Sequence, residues 1–234
     1  MALPFGPPGA LKRPHHEIGN YFYSQDLLTE QDHRLQRLRR HNRFQHRWGV
    51  VCGLGVVPEK KPRRPWALLV CPGYAIDCCG IEIEVCRASL VDAREYMWRA
   101  PNLVSSRGPH LAYVGLRFAE DLGKPVPSPQ PGCGCEDTIY EESRIRDNFQ
   151  IDILWEPPEP DDFEVPDLCQ PSMVPCPPTC KSPYIILASI TLPKSEHDPI
   201  TQADIDLSIR RQVFPTNLLP SQLISCCCAK NSSP

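Results

Sequence analysis

The chain has 234 residues, 41% hydrophobic and 23% charged, a balance that supports a folded core and argues against global disorder. A net charge of −3 and a pI near 6.2 argue against nucleic acid as the principal partner, and no apolar run is long enough to span a bilayer. Proline is the outlier: 28 of them shorten regular elements and disfavour long helices, because proline lacks the backbone donor and clashes with the preceding turn.

Residues 1–19 form a proline-rich leader without the apolar stretch of a signal peptide, which points to a cytoplasmic chain. His15-His16-Glu17 falls in that leader and reads as surface polarity, since a leader cannot hold a catalytic base or ligand in place. Residues 20–228 read as one β-rich domain, and 229–234 as a flexible tail.

The first clear element is a helix over about 29–48. Thr29 is placed to cap it, Glu30 and Asp32 suit its first turn, and Gly49 stops it after Arg43, His46 and Arg47, which suit the carbonyl end of the dipole. Leu28, Gln31, Leu35, Leu38, Asn42 and Gln45 fall at alternating three- and four-residue steps, the spacing of a coiled-coil seam with polar residues at half its positions. Two packings fit that pattern. Either the helix lies on its own domain's sheet with Leu35, Leu38 and Phe44 near the contact, as short amphipathic helices usually do, or it lies against copies of itself. Arg34, Arg37, Arg39, Arg40, Arg43 and Arg47 make it strongly basic. They suit a solvated face, or docking on an acidic partner or on this chain's own Glu141-Glu142 and Asp161-Asp162.

After the helix, Val50 to Val57 reads as a buried strand. Gly53-Leu54-Gly55 bends it, and a dinucleotide loop is excluded because the third glycine and the following helix start are missing. Ala67 to Cys71, the turn Pro72-Gly73 and Ile81 to Val85 predict a β-meander with Ile81, Ile83 and Val85 facing inward, and Asp77 serving the turn through its side chain. Leu90 to Arg99 predicts a short helix. Leu111 to Ala119, Ile145 to Trp155 and Tyr184 to Leu192 predict further strands, and Leu219 to Cys226 a short C-terminal helix with Pro220 in its first turn. The fold class is therefore mainly β (α+β): a β-sandwich-like core preceded by one amphipathic helix.

Between the last three strands lie two long segments, Glu120 to Ile139 and Glu156 to Pro183, which read as Pro/Cys-rich loops. Together they hold 13 of the 28 prolines and five of the 13 cysteines, too stiff and thiol-rich for ordinary linkers. The cysteines are odd in number, with adjacent Cys78-Cys79 and Cys226-Cys227-Cys228, so reduced thiols are expected rather than a disulfide framework. Cys133 and Cys135 in one loop, with Cys176 and Cys180 in the other, make a candidate four-thiolate structural zinc site, with Cys169 in reserve. No Gly-x-Ser-x-Gly elbow, His-Glu-x-x-His pair or Cys-x-x-Cys redox pair occurs, so the reading is non-enzymatic. A free-standing metal-binding module and an enzyme using thiolate-bound zinc are the alternatives.

Tyr21-Phe-Tyr-Ser-Gln-Asp-Leu-Leu-Thr-Glu-Gln-Asp32, the helix after it, and Trp48-Gly-Val-Val-Cys-Gly-Leu54 resemble a group of bacterial proteins linked to phage-tail-like contractile injection systems. Pro72-Gly-Tyr-Ala-Ile-Asp77 followed by Gly80-Ile-Glu-Ile83 is similar to their next hairpin, and Leu111 to Ala119, Ser143-Arg-Ile-Arg-Asp147 and Arg210-Arg-Gln-Val-Phe214 continue the likeness. The aromatic start, the Leu-Leu-Thr step and the Trp-Gly exit also resemble the opening of type VI secretion baseplate subunits and the shoulder domains of phage receptor-binding proteins. The resemblance implies a baseplate- or fibre-associated structural or adaptor subunit, cytoplasmic within a large assembly. Its partners would be itself, as a trimer, and other subunits of that assembly, with no direct membrane insertion. The docking surfaces expected are the helix from Asp32 to Arg47 and the apolar segment Leu218 to Ile224. With so little chain after Cys228, a receptor-binding head is not expected.

Overall fold

The computed structural model describes residues 11, 14–15, 18–19, 21, 23–59, 64–99, 110–127, 140–157, 176–177, 180–193, 195 and 197–213. The fold is mainly β, with a single α-helix among the described residues. The expected C-terminal helix and the segment Leu218 to Ile224 lie outside them, as do Cys133, Cys135 and Cys169.

The helix α1 spans Ser24–His41 and opens at Ser24 instead of Thr29. Its start is set by Asp26, whose carboxylate accepts from the Tyr23 backbone N–H at 3.0 Å, while Thr29 sits a turn inside and donates its hydroxyl to the Gln25 carbonyl at 2.8 Å. The α-helix ends at His41 and passes into a π-helical turn, Asn42–His46, and Arg47 then takes a left-handed backbone with φ 69°.

The strands are β1 (Gly49–Gly53), β2 (Val56–Pro58), β3 (Ala67–Val70), β4 (Gly73–Ile76), β5 (Glu82–Val85), β6 (Ser89–Asp92), β7 (His110–Pro127), β8 (Tyr140–Leu154), β9 (Ile185–Leu192) and β10 (Ile205–Asp206). They form three sheets, ordered β1-β4-β5, β2-β3-β6 and β10-β9-β7-β8. The expected meander is thereby corrected: β3 and β4 do not pair, because the chain changes sheet at two corners stacked on each other. At one corner Gly53 (φ 64°) and Leu54 (φ 54°) split the expected Val50 to Val57 strand in two, and at the other Cys71-Pro72 separates β3 from β4. The corners exchange backbone bonds, Leu54 N–H to Pro72 O at 3.1 Å and Cys71 N–H to Gly55 O at 2.7 Å. A Cβ on Gly53 would lie 2.2 Å from Pro72 O, so only glycine allows the approach.

One core joins all three sheets. It contains Val50, Leu54, Val56, Leu68, Val70, Ile83, Val85, Val114, Leu116, Ile185, Leu187 and Ile190. Ile83 and Val85 face it as their alternation predicts, with Glu82 and Glu84 outward, whereas Ile81 is only half-buried. The expected helix at Leu90 to Arg99 is instead β6 followed by a 3-10 helix, Ala93–Arg99. Asp92 Oδ1 accepts from the Arg94 N–H at 3.0 Å where the strand ends.

The first long loop is also shorter than expected, because β7 continues to Pro127 and pairs with β8 throughout that length. Beyond Leu116 the third strand, β9, no longer flanks β7, so among the described residues no strand pairs with that edge of the ribbon. Proline is tolerated on such an edge, which explains Pro125 and Pro127 within the strand. Leu122 and Ile145 face each other across the ribbon and are both exposed.

The 205–213 segment closes the fold against β1. Val50 N–H donates to Arg211 O and Val213 N–H to Val50 O, each at 2.8 Å, and a Cβ on Gly49 (φ 137°) would lie 2.6 Å from Arg211 O. The Arg211 guanidinium stacks over Trp48 at 4.4 Å.

Candidate docking face and thiol cluster

An isolated helix of this length holds together in a folded protein mainly by burying an apolar face. No residue of α1 is buried. Leu28, Leu35 and Leu38 are 57%, 50% and 47% exposed, and Leu27 and Phe44 are exposed too. This corrects the packing in which Leu35, Leu38 and Phe44 lie on the domain's own sheet. Local polar pairs decorate the same helix: Arg34 with Glu30, and Gln36 Nε2 donating to Asp32 Oδ2 at 2.6 Å.

Among the described residues, the helix is hydrogen-bonded to its own domain where α1 gives way to the π-helical turn. Asn42 is 3% exposed, and its Nδ2 donates to the Gly80 carbonyl and to Glu82 Oε1, both at 3.1 Å. Asn42 therefore belongs to the domain junction and leaves the seam at that point. Gly80 (φ 84°) is required there, because a Cβ would fall 2.0 Å from the Arg39 carbonyl oxygen. The turn that receives the helix is built by Asp77, as expected: its Oδ1 accepts from the Cys79 N–H at 2.9 Å and the Ile81 N–H at 2.7 Å. Burial raises the Asp77 carboxyl above the usual aspartate range despite these bonds and the charge of Arg39.

The same turn carries the thiols. The sulfurs of Cys78, Cys79 and Cys180 all lie within 4.8 Å of one another, a grouping able to hold a metal ion. Cys78 and Cys180, 102 residues apart in sequence, are paired as a disulfide with Cα atoms 5.2 Å apart, which differs from the expectation of reduced thiols throughout. Burial, then Asp77, push the Cys79 thiol up to about 11, while Arg43 and Arg39 oppose the shift. Of the expected zinc ligands, Cys180 is in this cluster and Cys176 is an exposed free thiol four residues before it. Cys78 and Cys79 were not among the ligands expected from sequence. Their adjacency in a turn fixed by Asp77 is a local signal, but their pairing with Cys180 is a long-range fact that no spacing conveys.

A second polar cluster lies on the β7–β8–β9 sheet. Asp152, 3% exposed, accepts from Arg117 Nε at 3.2 Å, Tyr184 Oη at 3.0 Å, Gln150 Nε2 at 3.0 Å and Tyr96 Oη at 3.3 Å. Both carboxylate oxygens are engaged, so the group locks strands together. Burial, followed by the bond to Asp152, raises the Tyr184 pKa.

Among the described residues, no helix is long and apolar enough to cross a membrane. No known family model matches the chain, and no curated protein matches it at a significant level.

Proposed function

We propose that this chain is a non-catalytic structural subunit that assembles through α1, packed against the same helix of two further copies, within a phage-tail-like contractile injection system. The observation that carries the reading is an 18-residue helix with no buried residue and leucines exposed at seam spacing. Leu28, Gln31, Leu35 and Leu38 form the seam, whose polar Gln31 sets register at some cost in stability. Copies of the chain are the favoured occupant because the seam repeats at coiled-coil spacing, which a like helix complements. The assembly itself is inferred from the motifs between Tyr21 and Phe214. A metal at the Cys78, Cys79 and Cys180 cluster would serve the same subunit as a structural ion.

Light scattering on the purified chain tests the reading. The expected mass is three times 26.4 kDa at micromolar concentration, and Leu35→Asp with Leu38→Asp should return it to one chain without loss of the β signal. A clean monomer for the unmodified chain would overturn self-assembly. Sheath, tube and baseplate genes beside this one would support the machine, and a metabolic operon would count against it.

A further inference from the structure

We propose that Cys78, Cys79, Cys176 and Cys180 of the reduced chain bind one zinc ion as a closed four-thiolate site, replacing the ligand set expected from the sequence. This site does not rest on the docking role proposed for α1.

Three of the four sulfurs are already assembled. A tetrahedral zinc with arms of about 2.3 Å places its sulfurs about 3.8 Å apart. The Cys78, Cys79 and Cys180 sulfurs lie within 4.8 Å of one another, and once the Cys78–Cys180 bond is reduced those two move apart to reach that spacing. Cys78 Sγ now lies 2.9 Å from the Ser182 carbonyl oxygen and would turn from it towards the metal. Asp77 does not compete as a ligand through Oδ1, which accepts two backbone N–H groups.

The fourth sulfur belongs to Cys176, four residues before Cys180 in the chain. Arg43 Nη2 donates to the Pro177 carbonyl at 3.3 Å, and the same Arg43 acts electrostatically on Cys79. Cys176 is therefore one residue from a backbone group held by Arg43, the residue after Asn42 at the Gly80 contact. It is a free, exposed thiol, able to swing onto the ion.

Four thiolates around a divalent cation carry a net charge of −2. Disulfide and metal site are alternative states of the same sulfurs. Two equivalents of a small thiol reductant convert the Cys78–Cys180 disulfide to two thiols and leave as their own disulfide. Four thiols then release four protons as zinc binds. Because Asn42 donates to Gly80 next to these cysteines, such a clamp would fix the seat of α1 and the chain entering β9 at once.

The full chain, prepared with reductant and without chelator, should carry one zinc per chain, and X-ray absorption should show four sulfurs at about 2.3 Å. Alkylation and peptide mapping of the unmodified protein should find Cys78, Cys79, Cys176 and Cys180 protected until a chelator is added, while exposed Cys52 and Cys86 react throughout. Cys79→Ser and Cys176→Ser should each weaken zinc retention at least tenfold. The proposal is overturned by zinc-free protein that keeps the Cys78–Cys180 disulfide after reductant, by nitrogen or oxygen among the ligands, or by protection of Cys133 and Cys135 in place of Cys78 and Cys79. The alkylation map keeps the test open even where a variant does not fold.

Discussion

Asn42 Nδ2 stands 3.1 Å from the carbonyl oxygen of Gly80, the contact through which an otherwise unburied helix is seated on its domain. The same amide reaches Glu82, whose carboxylate also accepts from the Tyr74 phenol, so one short network joins helix exit, hairpin turn and sheet. Removing it leaves a buried carbonyl without its donor, a loss of about 1–3 kcal/mol. Asn42→Ala should therefore lower the urea midpoint by a corresponding amount and speed amide exchange in α1. Unchanged exchange in the helix would show that its orientation is set elsewhere.

The Asp152 cluster should be a stability element. Breaking a buried ion pair by removing one partner costs about 3–5 kcal/mol, whereas an exposed pair contributes about 0–1 kcal/mol. Asp152 is 5% exposed at its side chain and Arg117 is 35% exposed, which places Asp152→Ala between the two, at about 2 kcal/mol. A double-mutant cycle with Arg117→Met measures the coupling, and a coupling near zero would assign the loss to the tyrosine bonds instead.

Much of this was legible in the sequence, and the reasons differ by element. The alternation of Ile83 and Val85 with Glu82 and Glu84 reports a half-buried strand directly, because strand periodicity is local. The seam leucines of α1 were equally visible, but their exposure was not, since the same pattern serves an own-sheet contact and a contact between copies. The switch of sheets between β3 and β4 was hidden because it depends on the backbone at Gly53 and Leu54 and on the matching corner at Pro72. In the β7–β8 ribbon, Pro125 and Pro127 point to a loop from sequence alone, since proline argues against a strand unless that edge is unpaired. At the thiol cluster, Cys180 was legible as a ligand candidate. Its neighbours in the structure, 102 and 101 residues earlier, belong to another strand connection.

Alkaline pH should weaken the network at Tyr74. Desolvation first, then the hydrogen bond to Glu82 and the charges of Glu82 and Glu84, push this phenol up to about 12. An unfolded tyrosine titrates near about 10. A folded value above the unfolded one means that the stabilisation is fully present below pH 10 and is lost as pH rises through 12. The stability difference between the unmodified chain and Tyr74→Phe should be constant from pH 8 to about 10 and shrink above it. A difference that stays constant up to pH 12 would contradict the assignment.

Arg210 ties three parts of the chain together through backbone carbonyls. Its Nε and Nη2 donate to Leu187 O at 3.1 and 2.9 Å, Nη2 also to Leu54 O at 3.1 Å, and Nη1 to Gly53 O at 3.3 Å. Burial lowers its pKa from the usual arginine value, the sign expected for a cation taken out of water. A planar fork spans β9 and the Gly53-Leu54 corner together, whereas a lysine ammonium is a single point that reaches only part of that set. Arg210→Lys should thus cost about 2 kcal/mol, the scale of a hydrogen bond to a charged group, despite keeping the charge. It should also release the 205–213 segment from β1, read as faster exchange of the Val50 and Val213 amides, which are otherwise held by 2.8 Å bonds. A lysine variant with unchanged midpoint and unchanged protection at those two amides would mean that the β1 pairing, and not the guanidinium, holds the segment in place.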